Sequence, residues 1–169
     1  MSVTDLSDEE LERVKRRYLA ANKQEGGPFT LREILLEQLK RKPSAFGVVE
    51  TARKIIELAT QSKDGLVTYG DLWKVFCPGA PWKANYSRRV VADALYRVIY
   101  YCVRNKLPIL TVLVVKGDTR SLSEQAIQNI YDECKVLGVD VGLNPREFVE
   151  RESVRARGLA GSDLPNDLQ

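Results

Sequence analysis

The sequence carries the same helix-start signal three times, and this signal most constrains the fold. In each case a hydroxyl residue precedes an acidic residue by three positions, and the pairs are Ser7 with Glu10, Thr30 with Glu33, and Thr68 with Asp71. In such a capping box the hydroxyl and the carboxylate each accept a hydrogen bond from a backbone N–H of the first helical turn. Three separate helix starts within the first 71 residues predict a mainly α fold.

Four further helices are predicted from other signals. Pro43 suits the first turn of a helix over "PSAFGVVETARKIIELATQS", whose apolar residues keep helical spacing. The run "YSRRVVADALYRVIYYCVRNK" contains no helix breaker, so it predicts one long helix. Ser121 as a cap, and Asn144 followed by Pro145, predict two helices at the C-terminal end.

One segment changes period and predicts a short β element. Residues Ile109 to Val115 are all apolar or β-branched, which is typical of a buried strand, and the turn "KGDT" follows them. The order short helix, long helix, strand and turn is that of a winged helix-turn-helix. The predicted organisation is an N-terminal helical arm at 1–42, a winged-helix-like core with C-terminal helices at 43–158, and a disordered tail at 159–169.

Composition excludes several classes of protein. The chain has no histidine and three widely spaced cysteines, so neither a disulfide framework nor a zinc site is expected, and no cofactor is indicated. The longest apolar runs, such as "ILTVLVV", are too short to cross a bilayer. The opening "MSVTDLSDEELE" lacks the pattern of a signal peptide, so a cytoplasmic location and no membrane partner are predicted.

Positive charge is concentrated between residues 81 and 106. This segment contains six Lys or Arg residues and one acidic residue, although the whole chain carries a net charge of only +3. Cations neutralise phosphates, and aromatic rings interleaved with them can stack on bases. The predicted binding residues are Tyr69, Trp82, Lys83, Arg88, Arg89, Tyr96, Arg97, Tyr100 and Arg104.

Two other interpretations of this polar helix face remain open. It could be the solvated side of an amphipathic helix, where Asp93 and Arg97 would form an i,i+4 ion pair. It could also be a protein interface, because Tyr, Trp and Arg are preferred anchors there. DNA is therefore the first candidate partner, and the alternative is an inhibitor or adaptor that grips a protein.

The sequence favours a non-catalytic protein. Its helix-spaced acids alternate with Lys and Arg, as on a solvated face. The turn "KGDT" at residues 116–119 could hold a phosphate, but it lacks the glycine-rich spacing of a nucleotide-binding loop and is interpreted as a turn. Cys77, in a loop before a proline, is the one plausible reactive thiol, and no base accompanies it.

The segment from Val67 to Val115 resembles the DNA-binding domain of the alkylguanine-DNA alkyltransferases and the alkyltransferase-like proteins. The likeness lies in "VTYGDL", "RRVVADAL" and "LPILTVLVV". It implies that Tyr69 turns a phosphate and that Arg89 fills the space left by a flipped base. The Pro-Cys-His-Arg active-site motif of that family is absent, so alkyl transfer is excluded.

A longer run, from "TYGDL" to "LGVDVGLNPREFVERE", resembles a family of small uncharacterised bacterial and phage proteins. Some of those occur as a domain beside restriction-type nucleases. The resemblance implies a role in defence or anti-defence, in a phage or mobile-element setting, and no particular reaction. The predicted function is non-catalytic nucleic-acid binding in that setting, and the alternative is an inhibitor that blocks a host defence or phage protein.

Overall fold

The computed structural model describes residues 1–42 and 44–166, and these form a mainly α-helical protein. Three short 3-10 segments and one pair of two-residue strands complete the described secondary structure. The helices and strands, in chain order, are α1 (Asp8–Ala20), α2 (Leu31–Arg41), α3 (Val48–Gln61), β1 (Val67–Thr68), α4 (Tyr69–Phe76), α5 (Ala84–Arg104), β2 (Val114–Val115), α6 (Glu124–Val136) and α7 (Pro145–Arg157).

The three predicted capping boxes are confirmed. In each, the hydroxyl accepts from the backbone N–H three residues on, at 3.1–3.2 Å, and the carboxylate accepts from the backbone N–H of the cap, at 2.7–2.9 Å. The boxes begin α1, α2 and α4 at the predicted residues. Local hydrogen bonding alone specifies these starts, which is why the sequence pattern was sufficient.

Two other helix starts differ from the predictions. Helix α3 begins at Val48 after Gly47, later than predicted, and Pro43 lies outside the described residues. Helix α6 is capped by Ser123, whose hydroxyl accepts from the Ala126 N–H at 3.1 Å. The predicted cap, Ser121, instead belongs to the preceding turn, where its carbonyl accepts from the Lys116 N–H at 3.2 Å.

Helix α5 occupies the centre of the molecule. It packs against α3, and both helices contact the fully buried 3-10 segment Leu110–Leu113, which also contacts α7. The predicted N-terminal arm packs onto this core, because Tyr18 of α1 and Leu31 and Leu35 of α2 belong to the same cluster of buried side chains. The Gln24 amide further ties the arm to α6 by donating to the Lys135 carbonyl at 2.7 Å.

The β element is shorter than predicted. Only Val114–Val115 is extended, and it pairs in parallel with Val67–Thr68, whereas residues 110–113 form the 3-10 segment. A fully buried apolar run does not distinguish strand from helix by its periodicity, and the available partner strand has only two residues. A wing would require an antiparallel hairpin, and the pairing found among the described residues is parallel.

The described part of the tail also differs from the predicted disorder. Leu164 is only 6% exposed, the residues just before it form a 3-10 turn, and the Tyr101 hydroxyl donates to the Pro165 carbonyl at 2.5 Å. The Arg53 guanidinium donates to the Asn166 side chain at 3.1 Å. Residues 159–166 therefore pack against α3 and α5, and residues 167–169 lie outside the described part of the chain.

The packing of the tail predicts a measurable contribution to stability. Leu164→Ala should lower the free energy of unfolding by about 2–5 kcal/mol, because it removes a buried side chain and leaves a cavity. Leu143→Ala is the matched control, since that leucine is 100% exposed and its truncation should change the free energy by about 0.5 kcal/mol or less. Urea denaturation followed by circular dichroism measures both values. Equal stability of the two variants would contradict the packing of the tail.

Candidate nucleic-acid interface

The structure divides the predicted Tyr/Arg face of α5 into buried and accessible parts. Tyr100 is 2% exposed and Arg97 is 6% exposed, and Tyr96 is half-buried. Helix α6 packs on this side of α5 and α2 reaches it through the Leu39 carbonyl, so these three residues do not form the predicted contact surface. This corrects the prediction of an exposed tyrosine face, because tyrosine and arginine were assigned to solvent from helix periodicity alone.

The buried tyrosines form a hydrogen-bonded chain to an acid on α6. The hydroxyls of Tyr96 and Tyr100 lie 2.7 Å apart, and the Tyr100 hydroxyl donates to Oε2 of Glu133 at 3.2 Å. Burial raises the pKa of Tyr96 to about 12 and raises that of Tyr100 further. Burial also raises the pKa of Glu133, and the two hydroxyls partly offset that effect. The chain therefore has a structural role in joining α5 to α6.

The two arginines of this face do not join the predicted contact surface either, because Arg97 is paired within the protein and Arg104 lies far from Arg88. Arg97 donates to Asp93 Oδ2 at 3.0 Å, which confirms the predicted i,i+4 pair, and to the Leu39 carbonyl of α2 at 3.0 Å. Arg104 lines a different groove, together with Asn105 and residues of the loop before α2. It lies about 24 Å along the helix axis from Arg88, at 1.5 Å per residue. Arg104 and Arg88 therefore do not act on one contact.

Three predicted residues, Tyr69, Trp82 and Arg88, are brought together by the fold in one cleft of about 700 Å³. The cleft lies between the start of α4, the first half of α5, the turn after β2 and the start of α6. Lys83 and Arg89 are exposed nearby but outside its described lining. The other lining residues are Thr68, Gly70, Ala92, Val114, Val115, Lys116, Gly117, Asp118, Leu122, Ser123, Gln125, Ala126 and Asn129.

The parallel strand pair explains why these segments meet. Because β1 and β2 run in the same direction, with Thr68 opposite Val115, their carboxyl ends lie at the same edge. Helix α4 begins directly after β1, and the turn that leads to α6 begins directly after β2. The cleft is thus bordered by the N-termini of α4 and α6, whose helix dipoles favour a negatively charged ligand, and Asp71 and Glu124 in the first turns offset part of this effect.

Two cations in the cleft lining, Arg88 and Lys116, add positive charge near these helix starts. Among the described residues, neither Arg88 nor Lys116 forms a salt bridge, whereas Arg97, Arg120 and several other arginines do. Burial raises the pKa of Tyr69, and the positive charge of Arg88 partly offsets this rise. Asp118 is the one carboxylate in the described lining, and its Oδ1 accepts from the Thr119 N–H at 2.8 Å.

The turn that carries Lys116 is held rigidly. Its backbone closes through a hydrogen bond from the Arg120 N–H to the Lys116 carbonyl at 3.0 Å. The Arg120 guanidinium donates to both carboxylate oxygens of Asp64, at 2.5 and 2.7 Å, and this pairing holds the pKa of Asp64 well below its usual range. The Arg157 guanidinium also holds the loop before β1, because it donates to the Asp64 carbonyl at 2.7 Å. Lys116 therefore projects from an anchored loop.

Beside the cleft, the buried ring of Trp73 supports two exposed aromatic rings. The ring centroids of Trp73 and Trp82 are 6.1 Å apart with planes at 87°, and those of Trp73 and Tyr86 are 6.2 Å apart with planes at 84°. Trp82 is 40% exposed and Tyr86 is 55% exposed, while Trp73 is 6% exposed. Trp73 itself is fixed by a hydrogen bond from its Nε1 to the Ala80 carbonyl at 3.0 Å.

Sequence reasoning missed the residues that close the cleft on its second side. Lys116 and the start of α6, with Ser123, Gln125 and Asn129, lie about 30–60 positions along the chain from Tyr69 and Arg88. The one sequence signal for these residues is the turn "KGDT", which could hold a phosphate but is interpreted from the sequence as a plain turn. Tyr86 was also omitted, although it lies between Trp82 and Arg88 in the sequence.

The cysteines do not contribute to this cleft. Cys102 and Cys134 are buried, and burial raises the pKa of each thiol to about 12; Cys77 is half-buried. Within residues 1–42 and 44–166 no group of three His, Cys, Asp or Glu side chains is arranged to hold a metal ion. No helix in the same ranges combines the length and apolar character that a bilayer span requires.

Comparisons of this chain with protein-family models, with curated proteins and with solved structures found no match.

The buried Tyr–Glu chain predicts a pH-dependent stability. The raised pKa of Glu133 means that the folded state binds this proton more tightly than the unfolded chain, so its contribution to stability is lost as the pH rises through the folded-state pKa. Glu133→Gln should therefore gain stability relative to wild type on going from mildly acid to neutral pH. Urea denaturation at both pH values measures this, with the exposed Glu150→Gln as the control. A pH-independent difference for Glu133→Gln would contradict the assignment.

Proposed function

We propose that this protein binds nucleic acid, with DNA as the first candidate ligand, through the cleft that contains Arg88 and Lys116. The observation that carries the proposal is that these two cations face one cleft without salt-bridge partners among the described residues. An arginine or lysine without a salt-bridge partner is suited to a phosphate oxygen.

Further exposed cations lie on α4 and at the start of α5, two of the elements that contribute residues to the cleft. Lys74, Lys83 and Arg89 are exposed, and none of them forms a salt bridge within the part of the chain that the structure describes. A ligand that carried a row of phosphates would meet several of these charges at once and would release counterions from its backbone. A ligand with a single phosphate would use only the cleft itself, and it would leave these outer cations without a role.

In this proposal, α4, the loop at residues 77–83 and the first turns of α5 act as the helix-turn-helix part that the sequence predicts. The residues of a recognition helix that contact DNA lie near its N-terminus, and Arg88 and Arg89 lie in the first two turns of α5. The resemblance to the alkyltransferases also assigns Tyr69 and Arg89 to DNA contacts. The defence or anti-defence setting in phage or mobile elements is part of the same proposal.

A protein-binding inhibitor or adaptor is the second candidate. The observation that favours it is the exposed aromatic pair Trp82 and Tyr86, because such rings are preferred anchors of protein interfaces. The two functions differ in their response to salt. Phosphate contacts weaken steeply as salt rises, whereas burial of aromatic rings against a protein depends on it far less.

Removing either cation should weaken nucleic-acid binding. Arg88→Ala and Lys116→Ala should each cost about 1.5 kcal/mol, roughly tenfold in affinity, and lower the slope of log affinity against log salt by about one. Fluorescence anisotropy with a labelled oligonucleotide, titrated at several salt concentrations, measures both quantities.

Arg104→Ala is the matched control, because it removes the same charge from the far end of α5 and should have little effect. Absence of binding by the wild-type protein to single-stranded and duplex DNA at low salt would overturn the proposal. A larger loss with Arg104→Ala than with Arg88→Ala would move the site away from the cleft.

Removal of the acid in the cleft should have the opposite effect on nucleic-acid affinity. Asp118→Asn should strengthen nucleic-acid binding several-fold, because it removes a negative charge that repels phosphate, and the gain should shrink as salt rises. The same anisotropy titration measures it. Asp132→Asn on the exposed side of α6 serves as the control for a change in net charge alone. Weaker binding by Asp118→Asn would show that the carboxylate helps to hold the ligand, contrary to this proposal.

A further inference from the structure

The surface beside the cleft presents two aromatic rings on a rigid support. Trp82 and Tyr86 each stand almost perpendicular to Trp73, which is buried and hydrogen-bonded to the backbone. Trp73 is in turn 6.5 Å from the ring of Phe46, centroid to centroid. Rings held in this way lose little side-chain freedom when a ligand covers them, which is a condition for efficient binding.

The two rings expose enough surface for a flat ligand to cover. Trp82 is 40% exposed and Tyr86 is 55% exposed, although large aromatic side chains are stabilised by burial. Both rings lie in a segment rich in exposed cations, with Lys83 next to Trp82 and Arg88 two residues after Tyr86. Trp82 also lines the cleft that contains Arg88 and Lys116. An aromatic surface and a phosphate-binding site are therefore continuous.

We infer that the ligand of this surface is single-stranded nucleic acid, with phosphates in the cleft and unpaired bases stacked on Trp82 and Tyr86. This inference rests on the proposed nucleic-acid binding, and it specifies a single strand as the ligand in place of the duplex that a recognition helix would contact. In a duplex the faces of the bases are covered by neighbouring base pairs, so an aromatic side chain cannot stack on them without opening the helix. A single strand offers both a phosphate chain and free base faces, and stacking on aromatic rings is how such strands are commonly held.

The charge around the rings favours this ligand over a protein. The exposed cations Lys83, Arg88 and Arg89 lie in the same segment, residues 82–89, as the two rings, and they form no salt bridge within the described residues. A protein partner would bury these charges or need matching acids, whereas a nucleic-acid strand supplies a negative charge at every nucleotide. Bases and phosphates alternate along a strand, as the exposed rings and cations do between Trp82 and Arg89.

The test compares four probes of one length: a labelled single-stranded oligodeoxynucleotide, its duplex, the RNA of the same sequence, and an oligonucleotide of abasic residues. The wild-type protein should bind the single-stranded DNA more tightly than the duplex and more tightly than the abasic strand. The abasic strand keeps the phosphates and lacks the bases, so it isolates the contribution of stacking. The RNA arm identifies which of the two kinds of single strand is preferred.

Variants of Trp82 separate stacking from apolar contact. Trp82→Leu should weaken binding to the single-stranded probe by roughly 5- to 150-fold, because one stacked base is lost, and should leave binding to the abasic strand unchanged. Trp82→Phe keeps an aromatic face and should recover much of the loss. Circular dichroism and urea denaturation of each variant establish that the fold is intact.

Tryptophan fluorescence gives an independent readout. The chain has two tryptophans, and of these Trp73 is buried and Trp82 is half-exposed. Binding of the unlabelled single strand should quench the emission of wild type, and Trp82→Phe should remove most of that quenching. The Tyr86→Leu variant should weaken single-strand binding and keep the quenching.

The possible outcomes distinguish the inference from the proposed function. Equal affinity for single-stranded, duplex and abasic probes, with no effect of Trp82→Leu, would overturn single-strand stacking and leave phosphate binding by Arg88 and Lys116 in place. No binding of any probe at low salt would overturn both. Tighter binding of duplex than of single strands would also overturn the inference.

Discussion

The rest of the structure depends on the burial of helix α5 on nearly all sides. Helix α3 and the Leu110–Leu113 segment cover its apolar side, α6 contacts its polar side, and α2 reaches that side through the Leu39 carbonyl. The covered polar groups then require partners, which Asp93 and the Leu39 carbonyl provide for Arg97 and which Glu133 provides for Tyr100. The first turns of α5 therefore remain available for a ligand, and Arg104 at the other end of the helix lines a separate groove.

A second constraint comes from a very small sheet. Two residue pairs in parallel place the ends of β1 and β2 side by side, and each end leads directly toward a helix start. The pair Arg120–Asp64 then fixes the turn after β2 against the loop before β1. As a result, Lys116 and Arg88, which are distant in sequence, border one cleft at an edge that is favourable for anions. The cleft therefore depends on the parallel direction of the two strands, which brings its charged residues together.

The aromatic cluster connects the core with this site. Phe46 of the loop before α3, Phe76 of α4 and Trp73 pack together, with the rings of Phe46 and Phe76 stacked at 4.3 Å. Trp82 and Tyr86 extend this packing to the surface. A ring at the edge of a rigid core can present a face to solvent without losing its orientation, which suits stacking on a flat ligand. The core thereby determines the shape of the proposed binding surface.

The sequence by itself determined the features that depend on local hydrogen bonding. It predicted the mainly α class, the three capping boxes and the ion pair of Asp93 with Arg97, because each involves residues three or four positions apart. Of the site, it identified Tyr69, Trp82 and Arg88 by chemical type. Only the tertiary structure decided that Tyr100 and Arg97 are buried, that residues 110–113 are not a strand, that the tail packs through Leu164, and that Lys116 lines the same cleft as Arg88. These features depend on which segments distant in the chain pack together, and helix periodicity carries no information about what covers a polar face.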